Sequence, residues 1–474
     1  MSTTPVASSM ARGLTVLASS RGIVLGLQLV TISLLAGHLD PAGLGVYTFG
    51  VATANLFRFL PNFGLVQVLG RDIAQRPERE RELLPNVVYL RLALGVLTYG
   101  LLGASLVVFG FDDTETRAAL IAGLILLIVI DSFRSALEVR LRLAWISIAD
   151  AVEAIATVAG ALVLIRRGAG PEAFLWMYAG LKLVNALIVW AAASRMGEFS
   201  WRPRPQLWPP LVRSALPLGL AGLLMALYFR LDVMILARLK PPDDVGQYGA
   251  GYRFLEAFTV VPTMIMSVLA PVLARSFMEG AGVLQRRYGL AMHLVTVIAI
   301  GVSVGGAMTA WRVLPALPGF GAFDGGGVAL AILSPAAGLI LVGTIAQGVL
   351  IAGHRQQRLL RISAAGLAFN LVLNLLLIPP YSYVGAAIAT TATEVLLVAM
   401  SLREVRLRLS LRWPLGRLWP VLGATAAMAA AIAASYALDP FLQVAVAVVV
   451  FAGALAVTGG LRPRDLQPFR DLRA

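Results

Sequence analysis

The sequence predicts an all-α polytopic membrane protein with about fourteen transmembrane helices, and three observations support this prediction. Hydrophobic residues make up 58% of the chain, and the mean hydropathy of +0.81 is well above that of soluble proteins. Fourteen segments are long enough to cross the ~30 Å hydrocarbon core of a bilayer, which requires roughly 20 apolar residues of helix. Residues 120–130 are continuously apolar, whereas strands of a membrane β-barrel alternate, so the spanning elements should be helices.

The predicted spans form two groups of six and a final pair. The first six cover residues 14–36, 43–69, 87–110, 117–138, 144–165 and 172–194. The next six cover residues 213–237, 246–274, 288–310, 327–352, 359–379 and 383–402, and the last two cover 418–437 and 440–460. The first span is longer than the apolar part of a signal peptide and contains Arg21, so we interpret it as an uncleaved helix.

This grouping predicts two lobes joined by a linker. The N-lobe covers residues 1–195, the linker 196–212 and the C-lobe 213–410, and residues 411–474 hold the last two helices and a tail. The linker mixes two tryptophans and four prolines with arginines, a composition that favours the cytoplasmic membrane interface. The last two spans contain no charged residue in their apolar runs, so we expect them to pack against the lobes and lipid.

A weak internal repeat supports the division into lobes. When the chain is shifted by 201 residues, residues 35–61 match residues 236–262 without a gap and are identical at eight of 27 positions. Both segments lie between the first and second helices of a lobe. The correspondence predicts two pseudo-symmetric six-helix lobes related by a parallel repeat, an arrangement known among transporters.

The distribution of basic residues predicts the orientation in the membrane. If the amino terminus is cytoplasmic and the spans alternate, 26 of the 39 Lys and Arg residues fall on the cytoplasmic side and six on the outer side. An excess of basic residues marks cytoplasmic loops, so both termini are expected in the cytoplasm. The same asymmetry explains the net charge of +14 without a nucleic-acid partner.

Composition also excludes several kinds of chemistry. The chain contains no cysteine, which excludes disulfides, thiolate metal sites and thiol catalysis. Its three histidines are far apart and show no metal-ligand spacing, and no phosphate-binding loop of an NTPase is present. We therefore expect no metal and no cofactor, and transport rather than bond chemistry.

Basic residues inside the spans are the strongest functional signal. Arg21 and Arg58 lie in the first two spans of the N-lobe, and Arg230 and Arg253 lie in the first two spans of the C-lobe. A charge at that depth is costly and is by default a functional hypothesis. The pattern predicts that the protein handles an anion, although structural ion pairs and snorkelling to the interface stay open as alternatives. Arg91 and Lys182 are assigned to snorkelling.

Three segments resemble one known family. They are Gly43-Leu-Gly-Val-Tyr-Thr-Phe with the later Phe63-Gly-Leu and Arg71, residues 231–256, and residues 370–394. Together they resemble the oligosaccharide and polysaccharide flippases (Wzx-type) of the multidrug/oligosaccharidyl-lipid/polysaccharide (MOP) exporter superfamily. The resemblance covers roughly residues 12–410.

The resemblance implies a V-shaped bundle of two lobes that opens alternately to either side of the bacterial inner membrane. It implies a flippase for undecaprenyl-pyrophosphate-linked oligosaccharides in surface polysaccharide synthesis, such as that of O-antigen lipopolysaccharide. The expected partners are this lipid-linked substrate and the bilayer, with a polysaccharide polymerase and chain-length machinery as further candidates.

On this reading, the four arginines bind pyrophosphate, because the guanidinium group presents a rigid fork of donors to phosphate oxygens. Gln28, Asn55, Asn370 and Asn374 are candidates for binding the glycan, with hydrogen bonds between helices as the alternative.

Acidic residues inside the spans are candidates for ion coupling. These are Asp150 and Glu153 in the N-lobe and Asp232 and Glu256 in the C-lobe, with pairing to nearby cations as the alternative. Asp131, Arg134 and Glu138 lie three and four residues apart, so we expect them to share a helix face and neutralise one another.

Three other functions stay open. A multidrug/cation antiporter of the same superfamily should have an acidic cavity, and the first helix here lacks the acid that such proteins often carry. A lipid II flippase is a second alternative. A membrane glycosyltransferase or polymerase is disfavoured because the longest outer loop, residues 311–326, contains only Asp324 as an acid.

Overall fold

The computed structural model of the chain describes residue 24 and residues 26–140, 142–197, 199–353, 355–413, 416 and 418–460. All regular secondary structure in these residues is helical, which confirms the all-α prediction. The chain divides into two compact units, residues 1–246 and residues 247–474. That the boundary between the two lobes lies at residues 196–212 stays a prediction.

The first unit contains ten complete helices among the described residues. They are α1 (Gly26–His38), α2 (Pro41–Phe57), α3 (Phe59–Asn62), α4 (Leu65–Gln75), α5 (Glu80–Phe109), α6 (Asp113–Gly123), α7 (Arg134–Val139), α8 (Leu143–Arg166), α9 (Pro171–Ser194) and α10 (Trp208–Leu239). Short 3₁₀ turns cover Pro77–Arg79, Leu124–Leu127, Ile130–Phe133 and Pro205–Leu207. Helix α11 (Pro242–Phe258) begins in this unit and continues into the second.

The second unit is built from longer helices. They are α12 (Val260–Glu279), α13 (Ala281–Ala316), α14 (Asp324–Ala352), α15 (Gln356–Leu409), α16 (Trp419–Ala434) and α17 (Pro440–Thr458). Helix α15 is interrupted at Ser382 (φ 51°, ψ −133°), which follows Pro379 and Pro380. That interruption separates the eleventh and twelfth predicted spans. Helices α16 and α17 pack against α13 through Val297, Val304 and neighbouring apolar residues.

Each of the fourteen predicted spans falls on helix in the described residues. Seven helices are long and apolar enough to cross a membrane, and the bent pair Asp113–Leu127 with Ile130–Val139 raises this number to eight. Of the other spans, residues 213–237 lie in the continuous 32-residue helix α10, and the rest are shorter or broken helices in the described residues. Together they confirm a polytopic membrane protein.

Two helix breaks in the first unit lie close together and create the site described below. The second span consists of α2, α3 and α4, with Arg58 between the first two helices. Phe63 (φ 33°) and Gly64 (φ 76°) take left-handed conformations between α3 and α4, and such strain in a bulky residue often accompanies function. The fourth span loses its α-helix after Gly123 and regains it at Arg134, with a bend of 40°.

The predicted linker is docked on α5. The backbone N–H of Ser200 donates to the Arg81 carbonyl (2.9 Å), and the Tyr89 hydroxyl donates to the Trp201 carbonyl (2.9 Å). The Phe133 ring contacts the rings of Phe199 and Trp201 at centroid distances of 5.0 and 6.0 Å. The segment is therefore held by specific contacts to the first unit.

Candidate functional site

A polar cavity of about 250 Å³ lies within the first unit, where the two helix breaks meet. Its walls come from α2 to α5 and from the interrupted fourth span. The lining residues are Asn55, Arg58, Phe59, Asn62, Val66, Arg91, Asp131, Arg134 and Glu138. Three arginines and two carboxylates therefore line it.

Arg58 reaches this cavity because it occupies the junction of α2 and α3. Its backbone N–H donates to the Ala54 carbonyl (2.9 Å), which is the last hydrogen bond of α2. Its side chain therefore projects from the point where α2 ends and α3 begins. Its Nη2 donates to Asp131 Oδ2 (3.1 Å), which is the only hydrogen bond of this guanidinium among the described residues. The side chain is 40% exposed. Four of its five N–H donors therefore bond to nothing in the described part of the chain.

Arg91 is the buried counterpart of Arg58. Its side chain is 3% exposed, and Nη1 donates to Asp131 Oδ1 (2.7 Å), to the Val129 carbonyl (3.2 Å) and to Ser132 Oγ. Its Nε has no hydrogen-bond partner in the described part of the chain. The Val129 carbonyl also accepts from the Ser132 N–H (3.1 Å) and from Ser132 Oγ (2.7 Å), so Arg91 adds to an existing hydrogen-bonded turn.

Asp131 bridges the two arginines, with one carboxylate oxygen to each. The prediction that Asp131 and Arg134 neutralise each other on one helix face is wrong. Asp131 lies in a 3₁₀ turn and α7 begins only at Arg134, so the two residues do not share a continuous helix.

Arg134 instead forms an ion pair with Asp150 of α8, whose Oδ1 also accepts from Asn185 Nδ2 (3.0 Å) of α9. Lys182 of α9 pairs with Glu153 of α8 rather than snorkelling freely. Both acidic residues proposed for ion coupling in the N-lobe therefore have the cationic partners that were named as the alternative.

A family model described as "Polysaccharide biosynthesis protein" matches residues 10–277, which is more than half of the chain. The chain belongs to this family. The match confirms the resemblance to the polysaccharide flippases of the MOP superfamily. No curated protein matches the sequence at a significant level.

Solved structures support the same fold for this family member. "Lipid II flippase MurJ, inward closed conformation" matches with a TM-score of 0.75 at 13% identity, covering 98% of this chain and all of that chain. A MOP superfamily transporter from Pyrococcus furiosus, described by a reversed polarity of its binding pocket, gives 0.55 at 14% identity and covers 84% and 95%. The Vibrio cholerae MATE transporter VcmN gives 0.52 at 16% identity and covers 85% and 99%. The protein is thus a multi-pass membrane protein with a MOP transporter fold.

Of the other three arginines predicted to bind pyrophosphate, the two that the structure describes do not line the cavity. Arg21 lies outside the described residues. Arg230 is half-buried in α10 and makes interactions there. In the second unit, Arg253 donates to Glu256 Oε2 (3.2 Å) along the same helix, and both side chains are 26% exposed. Of the three predicted arginines that the structure describes, Arg58 alone lines the cavity.

The four candidate glycan-binding residues also lie in different places. Asn55 lines the cavity and donates to the Val51 carbonyl (2.9 Å), whereas Gln28 is exposed on α1. Asn370 and Asn374 are buried in the second unit, where Asn370 Nδ2 donates to Thr393 Oγ1 (3.2 Å) and Asn374 donates to Asn370. Asn370 therefore connects the two parts of α15, as the alternative expects, whereas the side-chain amide of Asn374 donates within the first part.

Asp232 is buried in α10 and accepts from the Val233 N–H (2.8 Å). Its role in ion coupling, like that of Asp150, Glu153 and Glu256, stays a prediction.

Several cavity residues are not predicted from the sequence. Arg91 was assigned to the interface, and Asn62, Phe59 and Val66 were not singled out. Asn62 Oδ1 is buried without a hydrogen-bond partner in the described residues, so it is an acceptor with no other use in the fold. Its position seven residues after Asn55 was the available signal, since this spacing returns to the same helix face.

Proposed function

We propose that this protein is a flippase that moves an undecaprenyl-pyrophosphate-linked oligosaccharide across the bacterial inner membrane during surface polysaccharide synthesis. Its family and its MOP transporter fold support a lipid-linked substrate, and neither calls for bond chemistry. Translocation would proceed by alternating access, with both termini in the cytoplasm. The prenyl chain would remain in lipid while the polar headgroup passes through the protein.

The observation that carries this proposal is Arg58, a half-exposed guanidinium at the edge of a polar cavity, four of whose N–H donors bond to none of the described residues. A pyrophosphate group carries negative charge and many acceptor oxygens, and charge-assisted bonds from arginine to phosphate are among the stronger hydrogen bonds in proteins. Asn55 and Asn62 lie beside Arg58 and supply polar groups for the first sugar.

The arginines that line the cavity also separate this proposal from a drug or cation antiporter. A cation entering the cavity would meet three arginines and two carboxylates, and both oxygens of Asp131 are already engaged. Energy would come from an ion gradient or from the substrate gradient. Asp150, Glu153, Asp232 and Glu256 are the proposed groups for coupling to ions.

The test combines a binding measurement with a cellular one. Calorimetry on the full-length protein in detergent should detect sodium pyrophosphate, and Arg58→Gln should weaken its binding by about tenfold, or ~1.4 kcal/mol. Arg58→Lys should retain part of the affinity, because it keeps the charge and loses the fork. In cells, Arg58→Gln should lower surface polysaccharide at normal protein level.

Arg117→Gln is the matched control, since Arg117 also pairs with one carboxylate, Glu172 (2.9 Å), but is 59% exposed and outside the cavity. Wild-type binding and polysaccharide output in Arg58→Gln would reject the proposal. Binding of a lipophilic cation in place of pyrophosphate would favour the antiporter instead.

A further inference from the structure

We infer that Asp131 is an internal counter-ion that the substrate phosphate displaces from Arg58, so that binding and release are an exchange between two anions. This inference rests on the proposed function, because it assigns a role at the same site. It makes Asp131 a positioning residue: it orients Arg58 in the empty state and competes with the headgroup in the loaded state.

The two contacts of Asp131 differ in strength. Toward Arg91 the carboxylate bond is short, at 2.7 Å, and the same guanidinium nitrogen also bonds to Ser132 Oγ and the Val129 carbonyl of the same segment. Toward Arg58 there is one bond of 3.1 Å, made by a side chain that is 40% exposed. The weaker contact is therefore the one that can open.

Burial decides which partner keeps the carboxylate. Arg91 is 3% exposed, and the neighbouring residues Val87, Val88 and Leu90 on α5 belong to a buried apolar cluster. Separating a buried ion pair leaves an uncompensated charge, which is strongly unfavourable. Arg58 can instead exchange its carboxylate for water or another anion at the cavity surface. Asp131 thus stays with Arg91 while Arg58 changes partner.

This arrangement addresses a problem that any carrier of a charged group faces. An arginine without a counter-ion would bind phosphate too tightly to release it, and a substrate bound with equal strength in every state does not promote a conformational change. A carboxylate kept within bonding distance of Arg58 lowers the affinity and supplies a replacement when the phosphate leaves. Asp131 should therefore limit affinity and speed release.

The decisive variant is Asp131→Asn, which keeps the shape of the side chain and an oxygen for Arg91 but removes the competing charge. Calorimetry with sodium pyrophosphate on the full-length protein should give a Kd about tenfold lower than wild type, equivalent to ~1.4 kcal/mol. Surface polysaccharide per molecule of protein should fall, because release becomes slower. A purely structural role for Asp131 predicts the opposite change in binding.

Glu172→Gln is the matched control, because it also neutralises one carboxylate of an arginine pair in the same unit, away from the cavity. Its Kd should equal that of wild type. Unchanged or weaker pyrophosphate binding in Asp131→Asn would overturn the inference. The proposed function would still stand if Arg58→Gln weakens pyrophosphate binding. If the wild type binds no pyrophosphate, both proposals fall together.

A second measurement needs no variant of Asp131, in case Asp131→Asn does not fold. Infrared difference spectra of wild-type protein carrying ¹³C-carboxylate aspartate, with and without pyrophosphate, should show a shifted carboxylate band as one oxygen loses its Arg58 contact. The band shift should be absent in Arg58→Gln. A spectrum in which pyrophosphate changes no aspartate band would contradict the exchange.

Discussion

Gly45 and Gly246 pack face to face, each against the backbone of the other's helix. A Cβ on Gly45 would lie 1.7 Å from the Pro242 carbonyl oxygen, and a Cβ on Gly246 would lie 1.8 Å from the Pro41 carbonyl oxygen. The two prolines and the two glycines are separated by the same 201 residues that relate the internal repeat. The repeat therefore appears in three dimensions as a reciprocal contact between the first turns of α2 and α11.

Replacing either glycine by alanine should destabilise the protein. The added methyl group would meet a backbone oxygen, which cannot rotate away, so the two helices would have to separate. We expect Gly45→Ala and Gly246→Ala each to lower the free energy of unfolding by about 1–3 kcal/mol, as overpacking usually does. Both variants should therefore melt in detergent at a lower temperature than the wild type. The reciprocal geometry predicts that the two variants behave alike.

Gly180→Ala is the control for that experiment. Gly180 lies inside α9, and a Cβ there would meet nothing within 4 Å. Because alanine is the better helix former, this variant should melt at or slightly above the wild-type temperature. A melting temperature for Gly45→Ala equal to that of Gly180→Ala would show that the close contact does not exist in the folded protein.

The hydrogen bond between Asn370 and Thr393 in α15 should contribute to stability rather than to glycan binding. Asn370 and Thr393 are both buried and joined by one hydrogen bond across the break in α15. A double-mutant cycle with Asn370→Ala and Thr393→Val should give a coupling free energy of about 0.6 kcal/mol, the average for such bonds in membranes. Polysaccharide output, normalised to protein level, should not change. Lost output with wild-type melting would instead support Asn370 as a glycan ligand.

The overall helical architecture was predictable because hydrophobic length alone determines which segments can cross a bilayer. The cavity was only partly predictable. Arg58 and Asn55 were identified from charge and position, but their arrangement depends on the break in the fourth span. The residues around that break, Leu124 to Phe133, include no proline or glycine, and Arg91, 38 residues earlier, donates to the Val129 carbonyl within it. A tertiary contact of this kind leaves no local sequence signal.

Arg91 illustrates the same limit. Its sequence neighbours on α5 are apolar, so snorkelling to the interface was a reasonable interpretation. The side chain is buried because Asp131, Ser132 and the Val129 carbonyl satisfy it together. Spacing rules for helices compare residues on one helix and cannot find such a partner on another.

The docking of the linker on α5 should depend on Asn86. This side chain is fully buried, accepts from the Arg204 N–H (2.7 Å) and donates toward the Arg202 carbonyl (3.4 Å). Asn86→Ala removes these contacts, and loss of the bond to Arg204 at ~1 kcal/mol should let chymotrypsin cleave after Phe199 and Trp201 about fivefold faster. Ser105→Ala, which removes only a bond to the Leu102 carbonyl within α5, should leave the cleavage rate unchanged. Equal rates for the two variants would argue that Asn86 does not hold the linker.

The wall of the cavity should be sensitive to a methyl group on α10. A Cβ at Gly222 would lie 2.0 Å from the ring of Phe59, which lines the cavity. Gly222→Ala must therefore displace that ring. Because a side chain can move where a backbone cannot, we expect the variant to fold but to bind pyrophosphate about three- to tenfold more weakly, or ~0.7–1.4 kcal/mol.

The double variant Gly222→Ala with Phe59→Ala provides the decisive comparison. Removing the ring leaves space for the new methyl group, so binding should recover toward the value of Phe59→Ala alone. Non-additive effects of this kind are expected for residues in direct contact. Calorimetry on the four proteins measures the coupling, and strictly additive changes would show that Gly222 and Phe59 do not meet beside the Arg58 site.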